Sequence, residues 1–115
     1  MDTVSNHENM QQCRDRDAMA AKLAALSHPA RLKILQHLAE VEACCCKDVV
    51  DRLHLAQSTV SQHLKVLVES GLVRFTPDNR RSRYEVDGDE VRALAESVNG
   101  LLTSCCGLPA GEDAD

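Results

Sequence analysis

Aromatic side chains are nearly absent from this sequence. Its 115 residues include no tryptophan, one phenylalanine (Phe75) and one tyrosine (Tyr84). A core without aromatics has to be built from Leu, Val and Ala, which suits a small helical domain with limited buried surface of its own. Long apolar runs are missing too. No stretch approaches the ~20 residues of a membrane span, and Met1-Asp2-Thr3 opens no secretory signal. A cytoplasmic location is expected, and there the six cysteines are not expected to be structural disulfides. Those cysteines form neither a CxxC pair nor the Cys-His spacing of a zinc ribbon or finger, which argues against a structural zinc module. The chain has no internal repeat and no low-complexity domain.

A surplus of positive charge is also lacking. The net charge of −5 at first argues against a nucleic-acid partner, but its distribution is uneven. Residues 57 to 84 carry Lys65, Arg74, Arg80, Arg81 and Arg83 against Glu69 and Asp78. Residues 87 to 115 carry Arg92 against Asp87, Asp89, Glu90, Glu96, Glu112, Asp113 and Asp115. Attraction to phosphate follows the local field rather than the total charge.

The most informative stretch is DVVDRLHLAQSTVSQHLKVL, residues 48 to 67. Val49, Val50 and Leu53 share one helical face, His54-Leu55-Ala56 breaks the pattern, and Val60, Leu64 and Leu67 form the inner face of a second helix. Gln57-Ser58-Thr59 reads as the start of that helix, with Ser58 and Thr59 able to cap it. Ser58, Thr59, Ser61, Gln62, His63 and Lys65 point outward. Alone, this could be an ordinary helical hairpin with a solvated face. The next fifteen residues or so decide against that. Gly71 stops the helix, and Arg74-Phe75-Thr76 and Ser82-Arg83-Tyr84-Glu85-Val86 alternate as strands. Pro77-Asp78-Asn79-Arg80-Arg81 joins them with turn residues. A helix-turn-helix leading at once into a basic hairpin predicts a mainly α winged helix-turn-helix, an arrangement that enters a DNA major groove.

Three segments, LSHPARLKILQHLAE, AQSTVSQHLKVLVESGLVRF and RRSRYEV, resemble the ArsR/SmtB family of winged-helix metalloregulatory repressors across roughly residues 18 to 104. The resemblance implies a homodimer joined through its first and last helices, with double-stranded operator DNA as partner. It also implies release by a metal ion or a thiol-directed signal. No enzymatic activity and no membrane partner are expected. A thiol enzyme would need a CxxC motif or a Cys-His pairing, and neither is evident.

The remaining segments fit a domain of this kind. Residues 1 to 15 are polar and aperiodic and read as a mobile arm containing Cys13. A helix is expected from about Asp17, and Pro29 opens the next, with Ser27 or His28 as its cap. Leu32, Ile34, Leu35 and Leu38 are expected to be buried, and Arg31 and Lys33 to point outward. His28 and His37 read as helix-end and surface residues rather than ligands. Gly88-Asp89-Glu90 opens a last helix with acidic residues favourably placed at its amino end. Its apolar stripe (Val91, Leu94, Ala95, Val98, Leu101, Leu102) asks for a second copy to cover it. The winged helix-turn-helix domain is expected over residues 16 to 106, with a disordered acidic tail over 107 to 115.

The cysteines fall as Cys13, then Cys44-Cys45-Cys46, then Cys105-Cys106. Three consecutive thiols cannot all face one core, so at least one is expected to be available for chemistry. Adjacent thiolates suit a soft centre. Trivalent arsenic or antimony takes three in a pyramid, whereas four would suit cadmium, lead or zinc. The arsenical repressors of the family carry ELCVCDL at the start of the first helix of the helix-turn-helix. Aligned back from Gln57-Ser58, Cys45 matches its first cysteine and Lys47 stands at the second. Other members use cysteines at the end of the last helix, which Cys105 and Cys106 resemble. The resemblance therefore implies an inducer site for arsenite or antimonite joining Cys105 and Cys106 to the triplet, Cys45 first, with Cys44, Cys46 or Cys13 as other third donors. A zinc or nickel site of the family's second kind needs histidine on the last helix, which has none. The same thiols also admit sensing of persulfide or oxidants by a cysteine pair.

In DNA binding, Gln57, Ser58, Thr59, Ser61, Gln62 and His63 are expected to face the bases, with His63 equally able to cap or pack locally. Lys65, Asn79, Arg80 and Arg81 are expected at phosphate or in the minor groove.

Overall fold

The computed structural model describes residues 15–41, 45–77 and 82–107. Among the described residues, the elements run as five helices with a hairpin before the last. They are α1 (residues 15–26), α2 (Pro29–Glu40), α3 (Cys46–Leu53), α4 (Gln57–Ser70), β1 (Val73–Pro77), β2 (Ser82–Val86) and α5 (Gly88–Cys105). Helix α1 is already formed at Asp15, two residues before its expected start. The remainder of the expected N-terminal arm with Cys13, the hairpin turn with Asn79, Arg80 and Arg81, Cys44, and the tail beyond Gly107 lie outside the described residues.

Local chemistry sets the element ends. Pro29 occupies the first turn of α2, and the extended His28 caps it by accepting the Ala30 N–H at Nδ1, 3.1 Å away. Helix α3 is capped by Asp48, whose carboxylate accepts the Cys45 N–H at 3.2 Å. It stops where His54 turns left-handed (φ 60°, ψ 36°) and donates its N–H to the Val50 carbonyl. The start of α4 corrects one expectation. Ala56 holds the capping position and no side chain caps the helix, so Ser58 and Thr59 sit inside the first turn. Gly71 ends α4 at φ 90°; a Cβ there would meet nothing within 4 Å, so the left-handed backbone alone calls for glycine. Asp87 opens α5 by accepting the Glu90 N–H at 3.2 Å, and Gly107 comes after α5 at φ 77°.

The core is aliphatic. Ala25, Ile34, Leu38, Val49, Val60, Leu64, Leu67 and Val73 form one buried cluster contributed by α1, α2, α3, α4 and β1. Full burial of a leucine such as Leu64 or Leu67 stabilises by about 1.5–3 kcal/mol relative to exposure. The two strands pair antiparallel with Phe75 opposite Tyr84, and the Asp87 N–H donates to the Leu72 carbonyl to close the hairpin base. Strand β2 packs against α2 and α3, which fixes the wing beside the helix-turn-helix.

Two more expectations are corrected by the packing. Leu32 is 51% exposed, not buried. Arg31 does not simply point outward, since its Nε donates to the Ala25 carbonyl at 2.7 Å and clamps the α1–α2 corner. Helix α5 stands apart from the core cluster. Only Leu94 is buried on it, Lys22 on α1 pairs with Glu90 at 3.7 Å, and Leu101 and Leu102 remain exposed, as does Leu23 of α1.

Candidate nucleic-acid interface and thiol cluster

Helix α4 turns Val60, Leu64 and Leu67 into the core, which leaves Gln57, Ser58, Thr59, Ser61, Gln62 and Lys65 exposed. Ser58, Ser61, Gln62 and Lys65 recur at three- and four-residue spacing and make one stripe of hydroxyl, amide and ammonium groups. Such groups can donate to and accept from the base edges and phosphates of a major groove. The uncapped amino end of α4 lies at the Ser58 end of the same stripe, where the helix dipole favours an anion.

His63 leaves that stripe. Its ring lies 4.5 Å, centroid to centroid, from His28, and its Nδ1 is 3.4 Å from Arg31 Nη1. The guanidinium can only donate, so this contact needs a neutral ring with the proton on Nε2. His63 therefore ties α4 to the α1–α2 corner. Burial first, then the neighbouring His28 and Arg31, lower its pKa below the ordinary 6.5.

That direction makes a testable pH dependence. Between the lowered folded pKa and about 6.5 the unfolded chain holds a proton that the folded chain does not. Stability should fall as pH drops through 6.5 and level off below the folded pKa. His63→Gln should show a shallower loss in urea midpoint between pH 7.5 and 5.5 than the wild type. Equal losses in the two proteins would remove His63 from the linkage.

The wing places Phe75 and Tyr84 directly opposite each other, with ring centroids 5.2 Å apart and planes at 51°. On the other face of the hairpin Arg74 pairs with Glu85 at 3.4 Å. Between the wing and α4 lies an open cleft of about 420 Å³, with Ser61, Gln62 and Lys65 on the helix side and the aromatic pair on the hairpin side. Val68 and Glu69 also line it. Sequence reasoning missed this use of the aromatics. A signal was present, because the chain's only two aromatic residues stand at same-face positions on paired strands.

The thiols occupy two helix ends. Cys45 precedes α3 and its Sγ donates to Asp48 Oδ2 at 3.4 Å. Cys46 opens α3 and packs at the core edge, and burial together with Cys45 pushes its thiol above the ordinary value. Burial, then the nearby Cys46, likewise raises the Tyr84 phenol, so the start of α3 lies within electrostatic reach of the wing. Cys105 and Cys106 are free and exposed at the far end of α5. Among the described residues, no three His, Cys, Asp or Glu side chains are gathered closely enough to hold one ion. Within one described chain the structure thus brings Cys45 and Cys46 together and does not assemble them with Cys105 and Cys106 into a finished site. No described helix is long and apolar enough to cross a membrane.

Comparison with known proteins gives a consistent picture. A family model described as "Bacterial regulatory protein, arsR family" matches residues 28–74. The arsenical resistance operon repressor of Staphylococcus xylosus is 30% identical over 95 residues, covering 78% of this chain and 90% of that protein. A probable mercury resistance operon repressor of Streptomyces lividans is 33% identical over 104 residues, covering 84% and 82%. Among solved structures, the homodimeric winged helix-turn-helix DNA-binding domain of a possible ArsR-family regulator from Mycobacterium bovis superposes with a TM-score of 0.66. It is 25% identical, covering 79% of this chain and 83% of that one.

Proposed function

The chain belongs to the arsR family of bacterial regulatory proteins, as a winged-helix transcriptional repressor and not an enzyme; from that premise we propose that trivalent arsenic or antimony, held by cysteine thiolates, releases it from operator DNA. The observation that carries this reading is the placement of adjacent reduced thiols at two helix ends, Cys45–Cys46 before and in α3 and Cys105–Cys106 at the end of α5. The donor chemistry fits, because the set is soft sulfur and α5 contributes no histidine. Cys105 and Cys106 supply two donors and the triplet supplies the third, Cys45 first, with Cys44 and Cys46 beside it. The similarity to an arsenical resistance repressor supports the same assignment.

DNA binding rests on the exposed stripe of α4. A homodimer formed through α1 and α5 covers Leu23, Leu101 and Leu102, which one chain leaves exposed. The homodimeric state of the M. bovis domain supports a two-chain assembly. Two such chains carry two copies of α4 into successive major grooves, about 34 Å apart. Ser58, Thr59, Ser61 and Gln62 face the bases, and Lys65 with Asn79, Arg80 and Arg81 holds the backbone or minor groove. Three donors are not gathered in one described chain, so closing the set repositions the start of α3 relative to the end of α5. Helix α3 carries α4 and backs the wing. A state that favours closed thiolates and disfavours the DNA spacing is what release requires.

The test is fluorescence anisotropy on a duplex selected by the reduced protein from a random pool. Arsenite, cadmium, mercuric ion and a persulfide donor are titrated separately. Release by arsenite at about one equivalent per monomer is expected, with a loss of affinity within the roughly five- to 150-fold range of ordinary allosteric coupling. Release only by the persulfide donor, reversed by dithiothreitol, would make the protein a thiol redox switch instead. Release only by cadmium or mercuric ion would reassign the inducer.

A further inference from the structure

The cleft between α4 and the wing shares its helix wall with the exposed stripe of α4, but its hairpin wall, Phe75 and Tyr84, has no part in the reading above. It faces the same side as Ser61, Gln62 and Lys65, and it holds the chain's entire aromatic content. Phe75 keeps 43% of its surface exposed there. Tyr84 is half-buried and packs against the core cluster, whereas Phe75, opposite it, is exposed and takes no part in that cluster.

Duplex geometry supplies an occupant. A major groove and the adjacent minor groove are separated by a single sugar–phosphate strand. A protein that lays a helix in one and directs a hairpin toward the other has to straddle that strand. Here the space straddled is the cleft. Its two walls differ chemically in the way a sugar–phosphate strand does. The helix wall offers the Lys65 ammonium for a phosphate oxygen, and the hairpin wall offers aromatic rings for the apolar face of a deoxyribose. The Glu69 carboxylate, one turn beyond Lys65, repels phosphate and so confines it to the Lys65 end. A volume of about 420 Å³ lies in the range of small-molecule pockets, which leaves room for a pentose and its phosphate without rearrangement.

We propose that this cleft seats one sugar–phosphate unit of the bound DNA strand, with Phe75 packed on the deoxyribose and Lys65 on its phosphate. The proposal rests on the DNA-binding reading and adds a contact that reading lacks. Phe75 contributes affinity by dispersion and apolar burial, which salt leaves alone, whereas Lys65 contributes through counterion release, which salt opposes.

The experiment separates the two. Phe75→Ala should weaken binding to the selected duplex about tenfold at every salt concentration, with the slope of log K against log salt unchanged. Phe75→Tyr, which keeps a ring, should restore most of it. Lys65→Met should lower the slope by about 0.9 for each phosphate it meets. Because the chain has no tryptophan and one tyrosine, its intrinsic fluorescence reports on Tyr84 alone. Bound duplex should shield that fluorescence from acrylamide, an effect independent of whether Phe75→Ala perturbs the hairpin. Wild type that binds DNA while Tyr84 stays equally quenchable, or Phe75→Ala with unaltered affinity, would overturn the cleft assignment and leave the DNA-binding reading intact. Failure of the wild type to select any duplex would overturn both. Shielding that grows with protein concentration in the absence of DNA would assign the cleft to a second copy and also overturn the proposal.

Discussion

Replacing Cys105 and Cys106 by serine is expected to leave the protein on its operator when arsenite is added. Both residues are exposed at the end of α5, so serine, which differs by one atom and stays polar, should not disturb the core or α4. Affinity for DNA without inducer should remain within about twofold, in line with the small effects of surface substitutions. The arsenite response should nearly vanish, because two of three donors are gone and a single remaining thiolate binds trivalent arsenic far more weakly than a chelating set. In wild type the loss of affinity should be at least about tenfold, within the range of allosteric coupling energies. Anisotropy with and without one equivalent of arsenite reads both numbers. Normal release by the double variant would move the inducer site to the triplet alone. The companion Cys45→Ser then decides which triplet thiol matters: a lost response assigns Cys45 as third donor, and an unchanged one passes the role to its neighbours.

Much of the fold was legible because the informative features are local. The spacing of Val60, Leu64 and Leu67 gives α4 and its outward stripe, Gly71 gives its end, and alternation over Arg74–Thr76 and Ser82–Val86 gives the wing. The errors arose where a local pattern had to compete with tertiary placement. On a helix, residues advance about 100° each. Arg31 therefore lies close to the face of Ile34 and Leu38, while Leu32 lies about 200° from Ile34. Helix geometry thus favours a half-buried Arg31 and an exposed Leu32, even though composition suggests the reverse. Ser58 and Thr59 looked like caps by residue type, but the left-handed His54 turn delivers Ala56 to the capping position. The site was legible in part. Which cysteines stand at helix ends can be read from sequence. Whether they meet depends on how two segments far apart in the chain are placed relative to each other. The contact of His63 with His28 and Arg31 is likewise tertiary, between residues more than thirty positions apart, and could not be read from the pattern of α4 alone.

The second large effect concerns the hairpin turn. Arg80→Ala combined with Arg81→Ala should weaken binding to all DNA sequences alike and flatten the salt dependence. The physical basis is that each phosphate neutralised contributes about 0.9 to the slope of log K against log salt. Two arginines on each of two wings therefore contribute up to about 3.6. Between about 50 and 200 mM salt, the double variant should lose on the order of a hundredfold less affinity than the wild type does. The two proteins should accordingly converge at high salt and differ most at low salt. The proposed reading assigns sequence discrimination to Ser58, Thr59, Ser61 and Gln62 on α4, so the ratio of specific to nonspecific affinity should hardly change. The overall charge of −5 sharpens the experiment. An acidic chain attracts DNA only through its local basic surface, so removing two arginines from that surface cannot be masked by a general positive field. An unchanged slope would take the turn off the DNA and leave Lys65 and the positive end of α4 as the phosphate contacts.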